Sequence, residues 1–337
     1  MKKGLLLIIA LISFMVITAC GGGSENDDAD KSDDAKDSDE EKTYTIGATQ
    51  IVEHPSLDAA YKGFQDAFAD AGLNVEYDLQ SAQGDQNNVT PIAENFVADQ
   101  VDLIFANSTP SALGAVQATE DIPIVFTSVT DAVEAGLVES MEQPGGNATG
   151  VVDLHPDAIK NTVQFIADNF DGAQVGLIYN AGEQNSVTQI EAVKKAAEGS
   201  DLSFAERTVA NSAEVQQAAQ TLVSKVDVFY IITDNTVVSA LDSVVGVANE
   251  QDIPMVVGEP DSLKKGGFAT YGIDYEKIGY RTGEMAVEIL KGNKKPSDIA
   301  VEYPQEMQLF INKQAAEEQG VEWNEEWDEN AKILKDE

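Results

Sequence analysis

The 337-residue chain has one cysteine, Cys20, and only two histidines, which excludes several kinds of chemistry at the outset. Without a second thiol there is no internal disulfide, and the folded part has neither a cysteine-ligated zinc site nor a thiol nucleophile. The G-x-S-x-G, H-E-x-x-H and Walker G-x-x-x-x-G-K motifs are also missing from the sequence. We therefore expect no catalytic residue, no metal and no cofactor.

Basic residues are scarce as well, with 21 lysines and arginines against 59 aspartates and glutamates and a net charge of −38. Such a surface repels a phosphate backbone, so nucleic acid is excluded as a partner, and it also repels anionic lipid headgroups. The excess of acid is typical of adaptation to salt or high pH. A calcium-binding loop is not indicated, because the D-x-[DN]-x-[DN]-G pattern is missing from the part predicted to fold.

The first twenty residues have the layout of an export signal. Lys2 and Lys3 precede an apolar run over residues 5–17, which is shorter than the roughly 20 residues that span a bilayer. Residues 16–20, Val-Ile-Thr-Ala-Cys, resemble a bacterial lipobox. We expect a signal peptide over residues 1–19, lipid on Cys20, and a location on the extracellular face of the cytoplasmic membrane.

Residues 20–42 are predicted to be a disordered linker between the lipid and the folded part. After Cys20 the segment holds ten acids, three lysines and no large apolar residue. A segment of this composition cannot bury enough apolar surface to fold, and its like charges extend it.

From residue 44 onward, short apolar runs alternate with amphipathic segments of helix length, which predicts a sequence of strands and helices. The predicted strands are 45–48, 75–79, 103–106, 124–126, 149–152, 175–179, 204–207, 228–233, 255–257, 268–272 and 308–311. The predicted helices are 56–71, 89–98, 111–118, 156–169, 187–198, 212–223, 237–249, 278–290 and 313–319. Strict alternation with continuously apolar strands favours an α/β fold with parallel sheets covered on both faces.

The pattern restarts near residue 149, and the length suits two lobes better than one. We expect one lobe from residues 43–152 plus 274–300, and a second from residues 153–273 plus 301–325. Residues 326–337 are expected to form a charged, loosely packed tail.

Ligands bind parallel sheets beyond the carboxyl ends of the strands, so residues that follow strands are the candidates for a site. In the first lobe these are His54, Ser108, Thr109 and Ser128. Hydroxyls at a helix start, with the free N–H groups there, suit a carboxylate or phosphate. The alternative is that Ser108 or Thr109 only caps a helix, and that His54 is a cap or hinge residue.

In the second lobe the strand ends carry carboxylates and amides. The candidates are Tyr179, Asn180, Glu183, Asp234, Asn235 and Glu259. Acids on one side of a cleft and donors on the other suit a zwitterion such as a free amino acid. Asp234 has the alternative of capping the helix that follows it, and Tyr179 is placed to stack on a ligand.

Several separated stretches of the chain together resemble one family. They are His54-Pro55-Ser56-Leu57-Asp58 with Gly63-Phe64, residues 107–114 (NSTPSALG), residues 123–131 (PIVFTSVTD), Pro144-Gly145-Gly146-Asn147 with Thr149-Gly150-Val151, and Tyr179-Asn180 with Glu183, Asn185 and Ser186. The family is that of the type I periplasmic-binding-protein-like lipoproteins of ABC importers, in the branch associated with tryptophan and tyrosine uptake. The resemblance covers roughly residues 44–323.

The resemblance implies two Rossmann-like lobes joined by a three-strand hinge, closing on a small ligand. It implies that Ser108, Thr109 and Ser128 hold the ligand's carboxylate and that Asp234 and Glu259 face its ammonium. Tyr179 and His54 would then lie nearer the ligand's side chain. An aromatic amino acid is the ligand this branch implies, while branched-chain amino acids and nucleosides remain alternatives.

The function expected from these observations is that of an extracellular solute-binding lipoprotein, monomeric and without catalytic activity. Its partners would be a small-molecule ligand, an ABC permease with its ATPase, and the membrane through the lipid on Cys20. The alternatives are a ligand-sensing lipoprotein that serves a membrane receptor and a surface enzyme of similar fold.

Overall fold

The computed structural model describes residues 42–334. The predicted signal peptide, Cys20 and all but the last residue of the predicted linker lie outside the described residues, as do residues 335–337. Within the described range, no helix is both long and apolar enough to cross a membrane.

The first lobe is a five-stranded parallel sheet with helices on both faces. Its elements are β1 (Thr43–Gln50), α1 (Pro55–Asp70), β2 (Asn74–Ser81), α2 (Val89–Ala98), β3 (Leu103–Asn107), α3 (Thr109–Ala118), β4 (Ile124–Val129) and β5 (Ala148–Val152). The strand order is β2-β1-β3-β4-β5. Strands β3, β4 and β5 are buried along their whole length, as their unbroken apolar runs predict.

The second lobe is a seven-stranded sheet in the order β12-β11-β10-β9-β8-β6-β7. Its first elements are α4 (Ala158–Asn169), β6 (Gln174–Tyr179), α5 (Gln184–Ala196), β7 (Ser203–Thr208), α6 (Val215–Leu222), β8 (Val228–Ile231), α7 (Asn235–Ser239), α8 (Leu241–Glu250), β9 (Met255–Val257), α9 (Pro260–Lys264) and β10 (Ala269–Gly272). Its strands are parallel except for the antiparallel pair of β10 with the later strand β11.

The chain then returns to the first lobe before it ends in the second. The remaining elements are α10 (Tyr275–Leu290), β11 (Gln308–Asn312), α11 (Lys313–Glu318), α12 (Trp327–Asn330) and β12 (Lys332–Leu334). Short 3₁₀ turns lie at Gln86–Asn88, Ser212–Glu214 and Pro296–Asp298. Helix α10 packs along α1 in the first lobe, where Phe64, Phe68 and Phe105 form the aromatic core.

Three segments cross between the lobes: residues 153–157 after β5, residues 273–274 after β10, and residues 299–307 before β11. The third runs beside the end of β5, because the N–H of Val152 donates to the carbonyl of Glu302 at 2.9 Å. Arg281 of α10 holds the Glu302 carboxylate with two hydrogen bonds of 2.9 and 2.8 Å. Two lobes with parallel sheets and a three-segment hinge confirm the predicted fold class.

Residues 326–334 are packed against the second lobe, which corrects the expectation of a loose tail for this part of the predicted segment 326–337. Trp327 is buried against Phe165 and Phe268, with ring centroids 5.9 and 5.4 Å apart, and Trp323 meets it edge-on. Strand β12 pairs in parallel with β11. The high charge of this segment predicts exposure, but the two tryptophans anchor it to the core of the second lobe.

Candidate functional site

A small cavity lies between the two lobes, at the carboxyl ends of their strands. The first lobe and the hinge contribute His54, Leu57, Ser128, Thr130, Asp153 and Tyr275. The second lobe contributes Asn185, Thr233, Asp234, Asn235, Val238 and Glu259.

The lobes touch each other directly around this cavity. The hydroxyl of Ser56, at the start of α1, lies 2.5 Å from Oε2 of Glu259, at the start of α9. Elsewhere Gln189 donates to the hydroxyl oxygen of Thr130 at 3.2 Å, and Gln86 donates to the carbonyl of Gly182 at 3.1 Å. The structure therefore has the lobes closed on each other.

Two of the cavity's three carboxylates are helix caps. Asp234 accepts the N–H of Val237 at 2.7 Å at the start of α7. Glu259 accepts the N–H groups of Asp261 and Ser262, at 2.7 and 2.8 Å, at the start of α9. Short polar side chains at this position satisfy N–H groups that have no partner within the helix, so the capping alternative is correct for Asp234.

Both caps also hold neighbouring elements. The second oxygen of Asp234 accepts the N–H of Asn180 at 2.6 Å and the hydroxyl of Ser186 at 2.7 Å. Glu259 additionally accepts the hydroxyl of Ser262. Every carboxylate oxygen of these two residues therefore has a donor within the protein.

The third carboxylate, Asp153, has a different environment. The phenol of Tyr275 donates to its Oδ2 at 2.8 Å, while its Oδ1 is buried and has no hydrogen-bond partner among the described residues. Two other lining residues have unpaired buried atoms, Nδ1 of His54 and Oδ1 of Asn185. The other unpaired atoms in the described chain are threonine and serine hydroxyls outside the lining. Buried polar atoms are nearly always paired, so these three are open to a partner from outside the protein, such as water or a ligand.

Burial disfavours charge throughout the cavity. Burial raises the pKa of Asp153 to about 6, while the hydrogen bond from Tyr275 lowers it. Burial also raises the pKa of Glu259. Burial and then the charge of Glu183 raise the pKa of Asp234. Burial lowers the pKa of His54 to about 4, assisted by the charge of Lys265, so this imidazole is neutral.

The acids of the cavity have no cation to balance them. None of the lining side chains is a lysine or an arginine. The ion pairs within the described chain lie elsewhere and include none of Asp153, Asp234 and Glu259. Nor does any group of three or more acids, histidines or cysteines in residues 42–334 have the arrangement of a metal site. A cationic group from outside the protein would supply the missing charge.

Half of the residues predicted for the site line the cavity and half do not. His54, Ser128, Asp234, Asn235 and Glu259 line it. The other five are close to the cleft but are engaged with the protein itself, and they are Ser108, Thr109, Tyr179, Asn180 and Glu183.

The five residues outside the lining have structural partners. Ser108 caps α3 by accepting the N–H of Ser111 at 3.2 Å, and Thr109 accepts the N–H of Thr130 at 3.3 Å. The phenol of Tyr179 donates to Glu206 on the adjacent strand at 3.1 Å.

Asn180 and Glu183 instead brace the start of α7. The carboxylate of Glu183 accepts the side-chain amide of Asn235 at 2.6 Å and the hydroxyl of Thr236 at 2.7 Å, as well as both backbone N–H groups. The amide of Asn180 donates to the same hydroxyl at 2.9 Å. Together they fix Asn235, which does line the cavity.

Seven lining residues are not among the ten candidates. They are Leu57, Thr130, Asp153, Asn185, Thr233, Val238 and Tyr275. Asp153 could have been found from the sequence, because it directly follows β5. No other strand of residues 42–334 is followed directly by an acid. Tyr275 could not be found in this way, because it opens a helix 122 residues farther along the chain.

Comparison with known proteins agrees with this architecture. The model of a family described as ABC transporter substrate binding protein matches residues 45–334, nearly the whole described chain. The chain belongs to this family. Its members bind a solute and work with an ABC transporter outside the cytoplasmic membrane, which confirms the function class expected from the sequence.

Two relatives of this ABC substrate-binding protein carry informative names. A "Tyrosine-binding protein" of Clostridioides difficile (strain R20291) is 44% identical over 317 residues, which cover 92% of this chain and 90% of the relative. A solved ABC domain from Streptococcus pneumoniae in complex with L-Trp is 34% identical, with a TM-score of 0.82 over 87% of this chain and 100% of that one.

A third relative has been solved in an open form without ligand. The ligand-free, open structure of a substrate binding protein with adhesive properties from Clostridium difficile is 39% identical and covers the same shares of both chains, 87% and 100%. Its TM-score is only 0.64, although its sequence is more similar than that of the L-Trp complex. The present structure is therefore more similar overall to the ligand complex than to the open structure, in agreement with its direct contacts across the cleft.

Proposed function

We propose that this protein captures a free aromatic amino acid between its lobes and delivers it to an ABC permease and its ATPase, without chemical change. The observation that carries the proposal is the closed cavity with three buried carboxyl groups and no basic side chain in its lining. Uncompensated buried charge is strongly unfavourable. A ligand that brings an ammonium group turns this cost into a binding interaction.

The rest of the lining suits the other parts of an amino acid. The hydroxyl oxygen of Thr130 accepts from Gln189, which leaves the hydroxyl proton of Thr130 for a ligand carboxylate. Ser128 lines the same cavity, although its own proton goes to Asn107 at 2.7 Å. Leu57 and Val238, on opposite lobes, are the apolar walls for a side chain.

The aromatic class is supported by the relatives. The curated one is named for tyrosine and the solved one holds L-Trp, at 44% and 34% identity over most of the chain. An aromatic ring buries a large apolar area, and the polar atoms of the phenol and indole find partners when buried. His54, with its unpaired Nδ1, offers one such partner.

Closure of the lobes would report binding. A ligand that touches both lobes stabilises only the closed arrangement, so it shifts the population toward the form seen here. The permease would then recognise the closed form.

The attachment to the membrane is supported by the sequence alone. We propose that lipid on Cys20 holds the protein at the extracellular face of the membrane and that the acidic linker separates it from the bilayer. Two or more acyl chains hold firmly, whereas one is marginal at about 0.8 kcal/mol per buried CH₂. We propose a monomer, because a cleft that opens and closes within one chain needs no second copy.

Calorimetric melting of the full chain in detergent, against the twenty amino acids and common nucleosides, tests the ligand class. We expect L-tryptophan, L-tyrosine or L-phenylalanine to raise the melting temperature. At 100 times its dissociation constant a ligand stabilises by about 2.7 kcal/mol, which is an easily measured shift. Stabilisation by nucleosides or branched-chain amino acids alone would contradict the aromatic assignment.

A further inference from the structure

We propose that Asp153 is the residue that binds the ligand's ammonium group and that Tyr275 positions its carboxylate, so that the ligand is held by the hinge itself. This inference rests on the proposed function. It differs from the expectation drawn from the sequence, in which Asp234 and Glu259 face the ammonium.

Asp153 has a carboxylate oxygen available for the ligand's ammonium. An ammonium group donates up to three hydrogen bonds and needs acceptors that are not already filled. Among the three cavity carboxylates, the only oxygen without a donor is Oδ1 of Asp153. Oδ1 of Asn185, which lines the same cavity, is a second unfilled acceptor.

Asp234 and Glu259 would lose hydrogen bonds to helix starts if they turned toward a ligand. Asp234 holds the start of α7 and Glu259 holds the start of α9, each through backbone N–H groups. Turning either carboxylate toward a ligand would leave those N–H groups buried without a partner, which is unfavourable. Asp153 caps no helix, so its free oxygen binds a ligand without any such loss.

Asp153 and Tyr275 both lie at the hinge. Asp153 is the first residue of the first crossing, and its own N–H donates to the carbonyl of Val129 at 2.9 Å. Tyr275 opens α10, immediately after the second crossing, and is 6% exposed. Their 2.8 Å hydrogen bond therefore links two of the three crossings. A ligand on Oδ1 acts on the segments whose rotation closes the lobes.

The role of Tyr275 follows from its geometry. It occupies Oδ2 and so turns Oδ1 toward the cavity. Burial and the neighbouring acids raise the pKa of its phenol well above its usual value, so the phenol remains a donor at any working pH. A donor to the ionised carboxylate favours the charged form, which is the form that binds an ammonium.

The charged and titratable groups around Asp153 come from several elements. Glu259 and Asp234 face it from the second lobe, and the neutral His54 faces it from the start of α1. Asp261 of α9 acts on the phenol of Tyr275, and Lys265 acts on the imidazole of His54. On α10, Arg281 is paired with Glu302 and Glu284. None of these groups supplies a positive charge to Oδ1.

The test is isothermal titration of the full chain in detergent with L-tryptophan or L-tyrosine, whichever binds, and with the matching arylpropionate, which lacks the ammonium. Asp153→Asn should weaken amino-acid binding by about 100-fold, because a buried charge pair loses one partner. Binding of the arylpropionate should change little. Asp168→Asn, an exposed change of the same kind, is the matched control and should bind as the wild type does.

Tyr275→Phe tests the positioning role. It should weaken amino-acid binding by about tenfold, through loss of one hydrogen bond to a charged group. It should also raise the pH below which the affinity falls, because the carboxylate loses a donor that favours its charged form. Tyr280→Phe removes a phenol that donates to Asp70 at 3.0 Å outside the cavity, so neither affinity nor pH profile should change.

The outcomes separate the two claims. A wild-type chain that binds no amino acid overturns the proposed function and the assignment of Asp153 with it. A wild-type chain that binds, with Asp153→Asn binding equally well, overturns the assignment alone, and a loss confined to Asp234→Asn would return the ammonium to Asp234. A Tyr275→Phe variant with an unshifted pH profile would reduce Tyr275 to a structural residue.

Discussion

Replacing Gly279 with alanine is expected to destabilise the first lobe by about 3 kcal/mol or more, the upper range for overpacking a tight contact. Helices α1 and α10 lie so close that their backbones touch through glycines. A Cβ on Gly279 would overlap the carbonyl oxygen of Ala60, and one on Gly63 would overlap that of Glu276. Backbone cannot move aside as a flexible side chain does, so the helices would have to separate.

Thermal unfolding measures this effect. For a protein of this size the melting temperature should fall by roughly 6 to 12 °C, at 2–4 °C per kcal/mol. Gly246→Ala is the matched control, because Gly246 is an exposed position of α8 with open space around its Cα. Alanine there should be neutral or stabilising by about 0.5–1 kcal/mol. Equal melting temperatures for the Gly279→Ala variant and the wild type would refute the close helix contact.

The same contact bears on ligand binding, because α10 carries Tyr275 at its first position. A separation of α1 from α10 would shift both the phenol and the start of α1, where His54 and Leu57 line the cavity. We therefore expect Gly279→Ala to weaken ligand binding as well as stability, while Gly246→Ala leaves binding unchanged.

Acidification from pH 7 to pH 5 is expected to weaken amino-acid binding by about tenfold. Burial raises the pKa of Asp153 to about 6 in the ligand-free protein, whereas an ammonium on its free oxygen lowers that pKa again. Binding below pH 6 must therefore release a proton, and the affinity falls as the pH falls through this window. His54 does not contribute, because its pKa of about 4 keeps it neutral over this range.

Titration calorimetry at pH 7, 6 and 5 in buffers of different ionisation enthalpy measures both the affinity and the proton release. We expect proton release to rise below pH 6 with the amino acid and to be small with the arylpropionate, which leaves Asp153 free to stay protonated. An affinity that is constant or higher at pH 5 would show that Asp153 is not the group that pairs with the ammonium.

The order of the elements could be predicted from the sequence, because it depends on patterns within short windows. The run at β3, Leu103–Asn107, is apolar and fully buried. The face of α1 that packs inward carries Leu57, Phe64 and Phe68 at helical spacing. Each of these signals is local, and tertiary contacts reinforce it.

Boundaries that depend on tertiary packing were harder to predict. The pattern over residues 237–249 predicts one helix, but Ala240 leaves the helical conformation and separates α7 from α8. No glycine or proline marks this break. Similarly, α12 and β12 form because Trp327 finds a partner in Phe268, which is 59 residues away in the sequence and invisible to a local pattern.

The site illustrates a more general difficulty. Position after a strand brings a residue to the cleft, but it does not determine where the side chain points or which of its atoms are already used. Ser108 and Glu183 follow strands in this way, but their side chains accept hydrogen bonds from backbone N–H groups at helix starts. Asp153 also directly follows a strand. It falls at the predicted boundary between the lobes, however, a position that indicates a hinge residue rather than a ligand contact.

The central claim is that the ligand supplies the positive charge that the cavity lacks. The most direct test is the affinity of the wild-type chain at pH 7 for L-tryptophan and for indole-3-propionate, its counterpart without the ammonium. We predict that removal of the ammonium weakens binding by about 100-fold, which is the loss of affinity expected when a buried charge pair loses one partner. Equal affinity for the two compounds would contradict this prediction.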